Sequence, residues 1–196
     1  MNASVSFEEV TTRVFSKPGP GNTPAVLEAM AKRAEALSIS QVLIPTCSGK
    51  TALEALKMLS SRLHIIAVTH VTGFREPNDQ EIDPKIREDL ERRNVSVLTA
   101  QHAFGGVGRA VRDKLSTYQV DEIMAYTLRI FGHGTKVAVE LALMAADAGL
   151  VRTDCDVISA GGSSRGIDTA LVLRPSNSFR FFDLKVREVI CKPAVF

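Results

Sequence analysis

The sequence predicts a three-layer α/β/α sandwich on a mostly parallel sheet, with antiparallel pairing at one edge. Short apolar runs such as Val42-Leu43-Ile44 alternate with amphipathic helical stretches, and strands that read as near-continuous apolar runs are those covered on both faces. Toward the carboxyl end the rhythm breaks. Gly161 to Asp168 is too short for a crossover helix, so the strand after it must return antiparallel.

Each element has its own signal. Asn22 or Thr23 caps a first helix, Pro24 suits its first position, and Val26, Leu27, Met30, Ala34 and Leu37 recur at helical spacing, so the helix runs to about Leu37. Val42 to Ile44 is the first strand. The turn TCSGKT leads from it into a helix with Leu53, Leu56 and Leu59 on one face. The unit repeats with the strand His64 to His70 and a helix opened by Asp83-Pro84, carrying Ile86 and Leu90. A third strand, Val95 to Thr99, precedes AQHAFGGVGR and a helix through Val111 and Leu115. Helices at Val120 to Ile130 and about Gly134 to Ala148 follow, the second stopped by Gly149. A fourth strand spans about Asp156 to Ala160, and Thr169 to Arg174 pairs back on it. DLKVREVI, Asp183 to Ile190, alternates polar and apolar residues as a half-exposed edge strand does.

Totals narrow the class. The 196 residues, 45% hydrophobic and 23% charged, suit one globular domain over residues 1–196, and no repeat, low-complexity segment or linker divides them. Lys and Arg number 24 against 22 acidic residues and form no tract that would follow a nucleic-acid backbone. No apolar run approaches the length of a membrane span, and Met1 to Val10 lacks the pattern of a signal peptide, so a cytoplasmic protein is expected. Cys47, Cys155 and Cys191 make neither a CxxC pair nor a disulfide framework and read as free thiols. His64, His70, His102 and His133 include no pair at i and i+4 and no companion acidic cluster, so no metal site is expected.

Ligands of parallel sheets bind beyond the carboxyl ends of the strands. Four loops belong there. The first supplies Thr46, Cys47, Ser48, Gly49, Lys50 and Thr51, and the second Thr69, His70, Gly73, Phe74 and Arg75. The third supplies His102, Gly105, Gly106, Val107, Gly108 and Arg109, and the fourth Gly161, Gly162, Ser163, Arg165 and Asp168. Lys50, Arg75, Arg109 and Arg165 make the predicted crevice positive. In TCSGKT, free amides and the positive end of a helix dipole converge where a phosphate fits, with the Ser48 and Thr51 hydroxyls and Lys50 adding bonds. The nucleotide-hydrolysing pattern GxxxxGK[ST] is excluded, because Ile44 stands where its first glycine must be. An ordinary strand-to-helix turn with a serine cap explains SGKT equally well, and tight packing or a hairpin explains the glycines of the later loops. His70 and His102 are candidate acid–base groups or ligand partners, or histidines satisfied by backbone. Cys47 beside Lys50 at a helix start is a conceivable nucleophile without a nameable triad partner, and a small residue for a tight turn. Lys136 either faces the crevice or solvates a helix start.

On these residues the chain resembles the carboxyl-terminal domain of pyruvate kinase. QVLIPTCSGKTALEAL followed by HIIAVTH is similar to its paired strands and to the loop that receives a phosphate of the allosteric sugar bisphosphate. GNTPAVLEA, SGKTAL, VTHVTGFRE, HAFGGVGR, EIMAYTLRIFGHGTKVAVELALMAADAGL, GGSSRGIDTALVLRP and FDLKVREVI resemble, over nearly the whole chain, stand-alone microbial proteins similar to that domain. The resemblance implies bound flavin mononucleotide (FMN), its phosphate against Ser48, Gly49, Lys50 and Thr51. The segments 69–75, 102–109 and 161–168 would surround the ring and ribityl chain. Cys47 and Ser163-Ser164-Arg165 depart from the pattern. Because the catalytic barrel of pyruvate kinase needs far more chain, pyruvate kinase activity is not expected. The leading reading is an FMN-binding protein with flavin-dependent oxidoreductase chemistry and no assigned catalytic residue. The alternatives are a non-catalytic sensor of a sugar phosphate and a scaffolding subunit with a vestigial crevice. The alternating edge strand and the apolar helix VAVELALMAADAGL are compatible with a homo-oligomer, and a buried core helix explains the latter equally.

Overall fold

The structure is a computed structural model that describes residues 6–196; the first half of the amino-terminal segment read for a targeting signal lies outside them. Seven strands form one sheet: β1 (Arg13–Phe15), β2 (Gln41–Pro45), β3 (His64–Val68), β4 (Ser96–Leu98), β5 (Val157–Gly161), β6 (Thr169–Arg174) and β7 (Lys185–Pro193). Their order is β1-β7-β6-β5-β2-β3-β4. β5, β2, β3 and β4 are mutually parallel, and β6 is antiparallel to both β5 and β7. The mostly parallel three-layer α/β/α fold predicted from the sequence is therefore observed.

Period-two alternation sorts the strand side chains between two cores. Val42 and Ile44 face one side with Ile65, Ala67 and Ile158, against Val26, Leu27 and Met30 of α1 (Thr23–Ala36) and Ala52 and Ala55 of α2 (Lys50–Met58). Leu90 of α3 (Pro84–Arg92) joins them. Leu43 and Ile66 face the other side with Val157, Leu171 and Leu173, beneath α6 (His133–Asp147). α4 (Val107–Leu115) and α5 (Val120–Arg129) lie outside it, α4 burying no residue fully. Asp83 caps α3 as expected, its carboxylate accepting from the Lys85 amide at 2.7 Å.

Three expectations change. First, β7 is not the edge strand, because β1 pairs with its second half in the register Arg13↔Cys191 to Phe15↔Pro193. A three-residue strand carries no readable period, and the polar alternation of β7 reflects its uncovered first half, which is exposed from Lys185 to Arg187. Second, α2 buries Ala52 and Ala55 most deeply while Leu53 and Leu56 are only half-buried, since the close approach to the sheet favours the small side chains. Third, the two readings left open for VAVELALMAADAGL narrow to one, since α6 is a buried core helix. Twelve of its residues are buried, and among the described residues the exposed apolar helix face is that of α5, with Val120, Ile123, Tyr126 and Ile130. No helix of the described residues is long and apolar enough to cross a membrane.

The strand order creates a switch point. From β2 the chain proceeds to β3 on one side, whereas β5 lies on the other, so the loops after β2 and β5 separate at the sheet edge and leave a crevice. Gly161 and Gly134 set how α6 meets the sheet here: a Cβ on Gly161 would lie 1.9 Å from the Gly134 carbonyl oxygen, so only glycine lets α6 approach the end of β5 this closely.

Candidate functional site

At the switch point lies a cleft of about 890 Å³, lined by the loops after β2, β3 and β5 and by Pro20 and Thr23 at the start of α1. The turn after β2 forms one wall. Gly49, at φ 84°, takes a left-handed conformation that swings the chain from strand into helix, and no side chain caps α2. Its first-turn amides are therefore available to an anion. Thr46, 3% exposed, carries a hydroxyl with no protein partner and also lines the cleft. Such an orphan is the kind of group a bound ligand or water satisfies.

Ten of the residues expected in a crevice do line it: Thr46, Cys47, Ser48, Lys50 and Thr51; His70 and Arg75; and Gly162, Ser163 and Arg165. Gly49 lies beneath its turn, with Ile82 and Ile86 against it. Thr69 turns its hydroxyl inward, 2.7 Å from that of Thr99. Gly161 packs against Gly134 of α6 and does not line the cleft, and Asp168 is a buried brace. Its carboxylate accepts from the Gly19 amide at 3.1 Å and the Thr169 hydroxyl at 2.9 Å, tying the loop after β5 to the chain before α1. Thr23 Oγ1 adds a second tie, accepting from the Ile167 amide at 3.1 Å.

The third loop behaves differently from expectation, for none of His102, Gly105, Gly106, Val107, Gly108 or Arg109 lines the cleft. The strand it follows, β4, is the outermost of the parallel set, two places from β2. Its Phe104 enters the core beneath α6, and the Phe104 amide donates to Glu140 at 3.0 Å. Val107 is 71% exposed. The loop reaches the site only through its back: the His102 and Phe74 rings stack at 5.2 Å, Phe74 lies 4.0 Å from the His70 ring, and the Arg109 guanidinium sits over Phe74 at 5.4 Å. Gly73, in the loop after β3, is exposed and does not line the cleft. Burial, the leading cause, lowers the His102 pKa from its ordinary value.

Lys136 neither faces the crevice nor solvates the helix start. It is buried and pairs with Glu140, Nζ to Oε2 2.5 Å, and burial lowers its pKa despite that partner.

Sequence reading missed the acidic lining: Glu54 of α2, Asp79 and Glu81 line the cleft with Gln80, so Lys50, Arg75 and Arg165 face as many carboxylates and the expected positive crevice is not observed. It also missed what the fold does with Glu81. The long polar segment after β3 folds back so that Glu81 Oε2 lies 2.5 Å from His70 Nδ1, while His70 Nε2 lies 3.2 Å from Cys47 Sγ. The histidines do have an acidic companion, eleven residues along the chain from His70, where no short-range motif could show it. The ligand atoms of Cys47, His70 and Glu81 all lie within 4.8 Å of one another, with Glu81 and Cys47 at opposite nitrogens of the imidazole.

Fold and cleft together define an α/β domain with a crevice at the carboxyl edge of its parallel strands. Residues 24–173 match the model of the family "Pyruvate kinase, alpha/beta domain", and the chain belongs to that family. Among solved structures it is similar to a pyruvate kinase of Cryptosporidium parvum in complex with ADP, at 15% identity over 82% of this chain and 25% of that one, with a TM-score of 0.42. A second structure of a pyruvate kinase from that organism matches at 15% identity over 79% of this chain and 24% of that one, with a TM-score of 0.40. The chain thus spans about a quarter of the length of the solved pyruvate kinases it matches.

Proposed function

We propose that this domain binds a phosphorylated small molecule carrying a polyhydroxyl chain, with FMN as the first candidate. The observation that carries the reading is the cleft itself: an uncapped helix start, an orphaned Thr46 hydroxyl and the cations Lys50 and Arg165 on its rim. At about 890 Å³ it is within the usual range of roughly 300–1,000 Å³ for small-molecule sites. FMN fits this distribution of charge. Ser48, Lys50 and Thr51 would hold its phosphate, and Glu54, Asp79 and Gln80 offer acceptors and a donor to ribityl hydroxyls. Pro20, Pro45 and Val137 supply the apolar contact a ring needs. FMN when bound supplies electron transfer, and the chain contributes orientation and electrostatics. The carboxylates of Glu54 and Asp79 oppose a second phosphate, which favours a monophosphate over a sugar bisphosphate.

Visible spectra and calorimetry test this. Protein that is yellow as purified, or that binds added FMN, supports the reading, and Lys50→Ala should weaken binding roughly ten- to a hundredfold by removing a charge-assisted bond. Colourless protein that binds neither FMN nor any sugar phosphate refutes it. A sugar phosphate that binds without competition from FMN transfers the site to the sensor reading.

A further inference from the structure

Cys47, His70 and Glu81 form one hydrogen-bonded chain within the cleft, and ligand binding as described above makes no use of it. The imidazole is fixed at both nitrogens, with Glu81 Oε2 at 2.5 Å from Nδ1 and Cys47 Sγ at 3.2 Å from Nε2. With the proton on Nδ1 directed at the carboxylate, Nε2 offers its lone pair to the thiol. A nucleophile in reach of a base, the base oriented by a third group, is the signature of covalent catalysis. The orienting group is itself held, because Arg75 Nε lies 2.9 Å from Glu81 Oε1. Phe74 packs on the imidazole at 4.0 Å and restricts its rotation.

The surroundings supply the other requirement. Cys47 stands where β2 gives way to α2, and the uncapped amides of that helix are adjacent to any carbonyl bound at the sulfur. The preceding residue, Thr46, adds the buried hydroxyl without a protein partner. Burial and the nearby Glu81 push the thiol up to about 11. The resting sulfur is therefore protonated and depends on a base at the moment of attack, which is the part His70 is placed to play. A metal ion would take one nitrogen of the histidine, with the other two ligands on that same side. Here the two partners engage opposite nitrogens, the geometry of a proton relay.

We propose that Cys47 is the nucleophile of an acyl-transfer site that hydrolyses an ester or thioester, with His70 as general base and Glu81 as a positioning residue. As the sulfur bonds to the carbonyl carbon, the thiol proton passes to His70 Nε2 and the α2 amides receive the oxyanion. Collapse breaks the bond to the alcohol or thiol, which leaves with the proton from His70. Water then attacks the S-acyl carbon and gives a proton to His70. The carbon–sulfur bond breaks, the acid departs and the thiol regains its proton. Water is the sole co-reactant, and no oxidation state changes.

The test uses p-nitrophenyl acetate, which carries no phosphate; because an oxyanion and a ligand phosphate would share the α2 amides, the burst without added FMN tests this proposal alone, and slowing by added FMN tests the phosphorylated-ligand reading. The proposal expects a burst of one nitrophenolate per chain and one acetyl group located on Cys47 by peptide mass analysis. Cys47→Ala should abolish the burst, His70→Gln should slow acylation about a hundredfold, and Cys155→Ser should leave it unchanged. Glu81→Ala should slow acylation, and Glu81→Asp should restore part of the rate, which a merely structural role would not produce. Circular dichroism establishes that each variant is folded, with His70→Asn as the substitute if His70→Gln is not. Acetylation that persists elsewhere in Cys47→Ala with an undiminished burst overturns the proposal. So does a Cys47 acylation rate indifferent to His70, or stoichiometric zinc that blocks the thiol in the purified chain.

Discussion

Replacing Glu140 by Ala probes how the third loop is held to the sheet. In the native chain one oxygen of Glu140 accepts from Lys136 at 2.5 Å and the other from the Phe104 amide at 3.0 Å. Lys136 is 6% exposed and Glu140 4%. Breaking a buried ion pair by removing one partner costs about 3–5 kcal/mol, because the remaining charge is stranded, and an orphaned amide costs roughly 1–3 kcal/mol more where it cannot reach water. Lys136 escapes part of this by releasing its proton, which its lowered pKa makes easier. A net loss of about 4 kcal/mol is expected, a large share of the roughly 5–15 kcal/mol of a typical domain. Urea unfolding followed by circular dichroism measures it. The double variant Glu140→Leu with Lys136→Met should recover at least half of the loss, since matched apolar groups strand no charge. A single-variant loss under about 1 kcal/mol, or a double variant no more stable than Glu140→Ala, refutes the reasoning.

Other consequences are equally direct. Gly161→Ala brings a Cβ to 1.9 Å from the Gly134 carbonyl, and because backbone cannot yield as a side chain can, a loss of about 3 kcal/mol in urea unfolding is expected. His102 has its pKa lowered from 6.5, first by burial. The unfolded chain therefore takes up that proton before the folded chain does, and stability falls as pH drops below about 6.5. His102→Asn should lose this part of the pH slope while keeping its stability above it, as pH-dependent melting can show. Lys136 works in the same sense at alkaline pH: its folded pKa is below the ordinary 10.5, so stability relative to Lys136→Met should rise as pH climbs toward that value.

The fold was legible because its signals are local. Apolar runs such as Val42-Leu43-Ile44, the Asp83-Pro84 cap and the short Gly161 to Asp168 connection depend on neighbours in sequence, and each occupies its expected place. β1 escaped notice since three residues have no period, and its role follows from pairing with Cys191 to Pro193 at the far end of the chain. The candidate site was partly legible for the same reason. The turn after β2 and the loop after β5 are recognisable one at a time, and strand order brings them together. Strand order also removes the third loop from the cleft, which glycine content could not reveal. The Cys47–His70–Glu81 chain was invisible, since Cys47 follows β2 while His70 and Glu81 stand eleven residues apart in the irregular connection after β3, and nothing in that spacing encodes 3.2 Å and 2.5 Å contacts.

The claim that the cleft between the ends of β2 and β5 is a phosphorylated-ligand site is tested most directly by nitrogen-edited amide spectra of the labelled chain, recorded during titration with FMN. The account predicts saturable shifts, largest at Ser48, Gly49, Lys50 and Thr51 and followed by those of Gly162 to Gly166, with weaker responses at His70. Shifts centred instead on residues 102–109 or on the exposed face of α5, or no shift at millimolar FMN, would contradict it.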